Sequence, residues 1–153
     1  ATLAQLTAQM EANLIYGYGD FDVDVGLVKI LDGVTTDISP PNLGPDPIST
    51  IAVNPSDPDE IVVSIDNARK IQHTADGGTN WSTWNNALPF DATAIAVLWS
   101  GQYWPHRVFI AGHTGVSLQL LYSSNEAETL SNIAGGALAA ETAVTNIIVY
   151  EGE

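Results

Sequence analysis

The chain has 153 residues, enough for one domain with a real core, and no apolar run long enough to cross a bilayer as a helix. Eighteen acidic residues face four basic ones, Lys29, Arg69, Lys70 and Arg107, a formal net charge of -14. That balance excludes nucleic acid and anionic membranes as partners, since both require clustered Lys and Arg, and the lack of cysteine excludes disulfides and thiolate metal sites.

In chain order, residues 2–13 place Leu3, Leu6 and Met10 near helical spacing among good helix formers, and predict a short helix. The N-terminus lacks the basic-then-apolar order of a signal peptide. Asn13-Leu14-Ile15-Tyr16 then reads as a strand. Asp20, Asp22 and Asp24 alternate with Phe21, Val23 and Val25, which admits two readings. One is a strand with its acids in water; the other is a loop whose carboxylates converge on calcium.

Lys29-Ile30-Leu31-Asp32-Gly33 is a strand ending in a tight polar turn, and the proline-rich stretch 39–47 is a stiff connector. Residues 61–65 are β-branched apart from Ser64, and Pro55-Ser56-Asp57-Pro58-Asp59 before them is a dense turn signal. Both prolines lack a donor, so the chain is expected to leave the sheet there. Asp76-Gly77-Gly78 supplies residues that tolerate positive φ between two further strands. The small, Gly-rich stretch 134–144 reads as a loop or a single helical turn, and 145–150 as a strand.

These elements repeat. Thr50-Ile51-Ala52-Val53, Ala94-Ile95-Ala96-Val97 and Asn146-Ile147-Ile148-Val149 share one apolar signature, with 44 residues from Ile51 to Ile95 and 52 from Ile95 to Ile147. Residues 60–65 are echoed by 107–111, and 71–78 by 121–125. A period in the forties made of short β-rich runs predicts an all-β chain of four-stranded antiparallel, propeller-like blades. The units fall at about 13–40, 48–90 and 93–133, with the partial strand 145–150 after them.

Thr74-Ala75-Asp76-Gly77-Gly78-Thr79-Asn80-Trp81 resembles the Asp-box of BNR-repeat β-propellers, the turn carried by sialidases, xyloglucan-degrading glucanases and sortilin-type receptors. Residues 29–37 and 123–130 look like degraded copies: the first lacks the Trp, and the second has Asn125 in place of Asp and no Gly. The resemblance implies structural roles for Thr74, Asp76, Gly78 and Trp81, with the carboxylate capping its own hairpin and the indole packing between strands. A closed propeller takes about four to eight blades. About three are legible here, so an incomplete ring is expected, with blade edges that seek partners.

Little in the sequence points to catalysis, and no catalytic residue is assigned. His73, His106 and His113 fit no zinc spacing and read as surface or half-buried residues, while Ser123 and Ser124 lack a nucleophile elbow. Sialidase chemistry, by the resemblance, needs three arginines, and Arg69 and Arg107 are the only two. Trp81, Trp84, Trp99, Tyr103 and Trp104 crowd into 24 residues, and Tyr103 and Trp104 are the candidates for ligand contact. The sequence therefore leads to a non-enzymatic structural or interaction protein, a subunit of an extracellular or virion-like assembly held through blade edges. The alternative is a glycan-binding or glycan-cleaving propeller fragment with carbohydrate as its partner. Calcium is the one candidate cofactor.

Overall fold

A computed structural model describes residues 13–19, 25–41, 43–99, 104–114, 117–133, 144 and 146–149. The described residues form eleven strands and no helix, and none of their elements is a helix long and apolar enough to cross a membrane. The strands make three antiparallel sheets. The first holds β1 (Asn13–Gly19), β2 (Val25–Leu31) and β3 (Val34–Asp37), in that order. In the second, β4 (Ile48–Asn54), β5 (Asp57–Ile65), β6 (Lys70–Thr74) and β7 (Ser82–Asn85) follow one another as a meander. The third repeats that meander with β8 (Ala92–Leu98), β9 (Arg107–Thr114), β10 (Ser117–Ser123) and β11 (Ser131–Asn132).

Strand β5 explains how the sheets stack. Its run Ile61-Val62-Val63-Ser64-Ile65 is buried throughout, and period-2 alternation divides it between two cores. Ile61 and Val63 join Leu27 of β2 and Ile38 in a core between the first and second sheets. Val62 and Ile71 join Leu88, Phe90, Ile95, Val97, Val108, Ile110 and Leu121 in a core between the second and third. The second sheet is thus covered on both faces, which is why its central strand reads as a continuous apolar run instead of an alternating one. Burying each such side chain contributes about 1.5–3 kcal/mol. Phe90, 1% exposed, lies against the backbone of Gly112, where a Cβ would come within 2.5 Å of the Asp91 carbonyl oxygen.

Each sheet is entered at one edge strand, β1, β4 or β8, and the first two are left from the opposite edge, β3 or β7, through a connector to the next. The first strands line up along one side: β4 lies against β8 and also approaches β1.

Several expectations change. The turn between β4 and β5 is only Pro55-Ser56, held by Asn54 Oδ1 accepting from the Ser56 N–H. Pro58 sits inside β5, in an exposed stretch near the strand's start where a missing donor costs little. At Asp32-Gly33 the hairpin closes in two residues of positive φ with Leu31 opposite Val34, a much shorter turn than that of residues 74–81. Residues 146–149, expected in a strand over 145–150, belong to no ladder. Of the helix expected over residues 2–13, Asn13 instead opens β1 and residues 2–12 lie outside the described residues, as do the candidate calcium ligands Asp20, Asp22 and Asp24, Tyr103 and most of 134–144.

Candidate functional site

The turn between β6 and β7 is built on two side-chain acceptors. Thr74 Oγ1 accepts from the N–H groups of Asp76 and Gly78, and donates to Asp76 Oδ1 at 2.9 Å. Asp76 in turn accepts from the Asn80 N–H at 2.8 Å and from the Asn80 side-chain amide at 2.6 Å. These donors, the Asn80 N–H foremost, hold the Asp76 carboxyl below its ordinary range. Gly77 N–H reaches back to the Asp59 carbonyl, and Thr79 N–H to that of Asp76. Trp81 then packs on the core between the first two sheets. A shallow hollow of about 350 Å³ opens beside the turn, lined by His73, Ala75, Asp76, Asn80, Trp81 and Ser82.

The turn between β10 and β11 has the same wiring. Ser123 Oγ accepts from the N–H groups of Asn125 and Ala127 and donates to Asn125 Oδ1. Asn125 Oδ1 accepts from the Thr129 N–H, Glu126 N–H reaches the His106 carbonyl, and Glu128 N–H reaches that of Asn125. Glu126 and Ala127 take the positive φ that Gly77 and Gly78 take in the other turn. Leu130, where Trp81 stands in the other copy, packs on the core between the second and third sheets. Sequence reading treats this segment as degraded because Asn125 replaces Asp and no Gly is present. The hydrogen bonds of the main-chain N–H groups do not differ.

In both turns the essential property is an sp² oxygen two residues after a hydroxyl. Asp76→Asn is therefore expected to keep most of the thermal midpoint, and Asp76→Ala to lower it clearly. Equal midpoints for the two variants in a melting series would contradict this account.

A second cluster joins the second and third sheets, and the sequence does not reveal it. Glu60 Oε1 lies 3.3 Å from His73 Nε2 and 3.0 Å from His106 Nε2, while Glu60 Oε2 accepts from the Asn54 amide at 2.6 Å. Because a carboxylate only accepts, both imidazoles turn an Nε2–H toward it. His73 stacks on Trp84 with ring centroids 4.4 Å apart, and His106 is ringed by Trp84, Trp99 and Trp104 at 6.0, 5.4 and 4.9 Å. His106, read from sequence as a surface or half-buried residue, is only 5% exposed, and its Nδ1 has no hydrogen-bond partner. Trp104 is 70% exposed.

Ser82 Oγ stands 3.5 Å from His73 Nδ1, which puts Ser82, His73 and Glu60 in line. The hydroxyl is nearer to the His73 carbonyl, at 3.3 Å, on an exposed strand without a nucleophile elbow. This line ties strands together. It is not a charge-relay geometry. Among the described residues, no group of His, Asp and Glu side chains is arranged to hold a metal ion.

Burial holds His73 below the ordinary imidazole value, with Glu60 pulling the other way. For Glu60 burial is the largest influence and acts upward, but Asn54, His106 and His73 together hold its carboxyl below the usual range. Both groups bind protons more weakly folded than unfolded, so their contribution is complete at high pH and lost in acid. Stability is expected to fall first below about pH 6.5, where unfolded His73 takes up a proton, and again through the carboxylate range. Asp66, raised mainly by burial, opposes this in part. Urea midpoints between pH 8 and pH 4 test the point, and a flat profile would contradict it.

Compared with protein-family profiles and with curated proteins, the sequence has no significant match to either.

Proposed function

We propose that the chain is a non-enzymatic structural or interaction protein, a subunit of a larger extracellular or virion-like assembly built from Asp-box β-blades. The observation that carries this reading is the stacking. The second sheet gives one face to the first sheet and the other to the third. Stacking of this kind is head to tail, and a head-to-tail contact propagates into a ring or a filament. The three sheets make no closed ring among the described residues, which leaves end surfaces for further units. The matching hydrogen bonds of the 74–81 and 123–130 turns support the blade reading. The His–Glu–His cluster is in keeping with a structural role, since Glu60 is bonded to Asn54, His73 and His106 and so ties the second sheet to the third. The acidic, cysteine-free composition suits an extracellular setting.

Native mass by light scattering after size exclusion tests this. A particle well above 16.2 kDa is expected. With a charge of -14 on each copy, association should strengthen as salt shortens the screening length from about 30 Å at 0.01 M to about 8 Å at 0.15 M. A monomer at every salt and calcium concentration would overturn the proposal. The alternative, a glycan-binding or glycan-cleaving fragment, rests on exposed Trp104 and predicts a fluorescence change with oligosaccharides.

A further inference from the structure

The hollow beside the 74–81 turn is lined by side chains that offer mainly acceptors. Asp76 Oδ1 is filled by the Thr74 hydroxyl and the Asn80 N–H, whereas Asp76 Oδ2 accepts only from the Asn80 amide and keeps a lone pair. Asn80 spends one amide hydrogen on that bond, which leaves its Oδ1 as an acceptor and its second amide hydrogen as a donor. Ser82 turns its hydroxyl hydrogen toward the His73 carbonyl, so its oxygen can still accept. His73 directs an Nε2–H to Glu60, which makes Nδ1 an acceptor as well. Trp81 contributes ring surface, because its Nε1 is buried.

The negative charge is more than the turn needs. Asn125 holds the corresponding place in the 123–130 turn and accepts the same main-chain bond with a neutral amide. Leu130 likewise stands where Trp81 does, and packs on its own core. Of the two turns, only the 74–81 copy sets a carboxylate beside an indole, and the wiring they share calls for neither. The Asn80 N–H foremost holds the Asp76 carboxyl below its ordinary range, and burial keeps His73 from gaining charge, so the hollow is anionic at neutral pH. Asp76 is exposed, and among the described residues no basic side chain pairs with it; Lys29 and Arg69 are engaged by Asp59 and Asp91.

We infer that this hollow takes the guanidinium of an arginine presented by a basic partner protein. A guanidinium is planar, carries five N–H donors and no acceptor, and stacks on aromatic rings. Its charge meets Asp76, its donors meet the surplus of acceptors, and the indole adds cation–π attraction. The volume, about 350 Å³, lies in the range of small-ligand sites and accommodates a long side chain. A second copy of this chain is a poor source, since it brings 18 acidic residues with four basic ones and copies of charge -14 repel. A companion of opposite charge is attracted by the same field. This contact rests on the interaction-protein half of the reading above, not on self-association.

Saturation-transfer NMR of Nα-acetyl-arginine amide with the full-length chain tests the site, and it reads bound ligand whether or not the chain assembles. Salt at 0.15 M screens charges beyond about 8 Å. Saturable binding is expected, with affinity at least about tenfold lower for Nα-acetyl-citrulline amide, which keeps the shape and lacks the charge. Asp76→Asn and Trp81→Leu copy Asn125 and Leu130, and each should weaken arginine binding at least about threefold with unchanged far-ultraviolet circular dichroism. Asp32→Asn removes the same charge at the exposed β2–β3 turn and should leave binding as it is. Equal binding of arginine and citrulline, or equal losses in Asp76→Asn and Asp32→Asn, would sink the site. So would a neutral oligosaccharide that binds through Trp81 where arginine does not, which would make the hollow a sugar site. Native mass is a separate readout: a chain that assembles without an arginine signal loses only this contact, and a monomer with the signal loses only self-association.

Discussion

Gly78→Ala should destabilise the protein by about 2–4 kcal/mol, the sum of left-handed strain on a residue with a Cβ and overpacking. Gly78 has φ near +90°, and a Cβ built there lies 2.5 Å from Ile38 Cβ and 2.9 Å from the Ile38 carbonyl oxygen. Ile38 cannot easily retreat. Its N–H is bonded to the Leu27 carbonyl, and its side chain belongs to the core between the first two sheets. The control is built into the molecule. Ala127 holds the corresponding place in the other turn, with φ near +62° and its methyl group fully buried. Ala127→Gly removes the strain but also about 0.8 kcal/mol of methyl burial, so it should change stability little. Denaturant unfolding of both variants decides the matter. Similar costs would mean that the 74–81 turn is not fitted against Ile38.

Glu60→Ala should cost a comparable 2–4 kcal/mol, because it deprives three donors of one acceptor group in a mostly buried place. The Asn54 amide and both imidazoles would lose their partner together, while the tryptophans around His106 keep water from replacing it. Glu60→Gln is the sharper probe. Its amide can accept through one oxygen but must turn an N–H₂ toward a donor, so part of the loss should remain. The pH response separates this account from simple loss of packing. Glu60 favours the protonated form of His73 against burial, so its removal should lower the folded His73 value further. The stability lost on acidification below about pH 6.5 should then be larger in Glu60→Gln than in the parent. An unchanged acid slope would mean that carboxylate and imidazole are not coupled.

What was legible in the sequence follows from how local its causes are. The β-branched run 61–65 and the Asp-Gly-Gly step at 76–78 declare strand and turn within a few residues, and β5 and the β6–β7 hairpin lie there. Trp81 on a core is likewise a short-range reading, since the turn itself aims the indole. Pro58 misled because a proline is a ladder breaker only where the ladder needs its donor. The Glu60–His73–His106 cluster was invisible for the opposite reason. Glu60 and His73 meet on paired strands of the second sheet, but only the meeting of that sheet with the third brings His106 within 3.0 Å. A hint existed in the tryptophans crowded between 81 and 104, which predict an aromatic wall but not what it encloses.

The two long turns carry a lesson about descent. Between them Thr becomes Ser, Asp becomes Asn, Gly becomes Ala and Trp becomes Leu, while every main-chain hydrogen bond of the loop keeps its counterpart. What such a hairpin requires is where two oxygens sit, and several spellings put them there. Copies of the unit can therefore drift until their letters no longer resemble one another and still be interchangeable as solid objects. Kinship among chains of this kind is better traced by superimposing acceptor positions than by aligning residues.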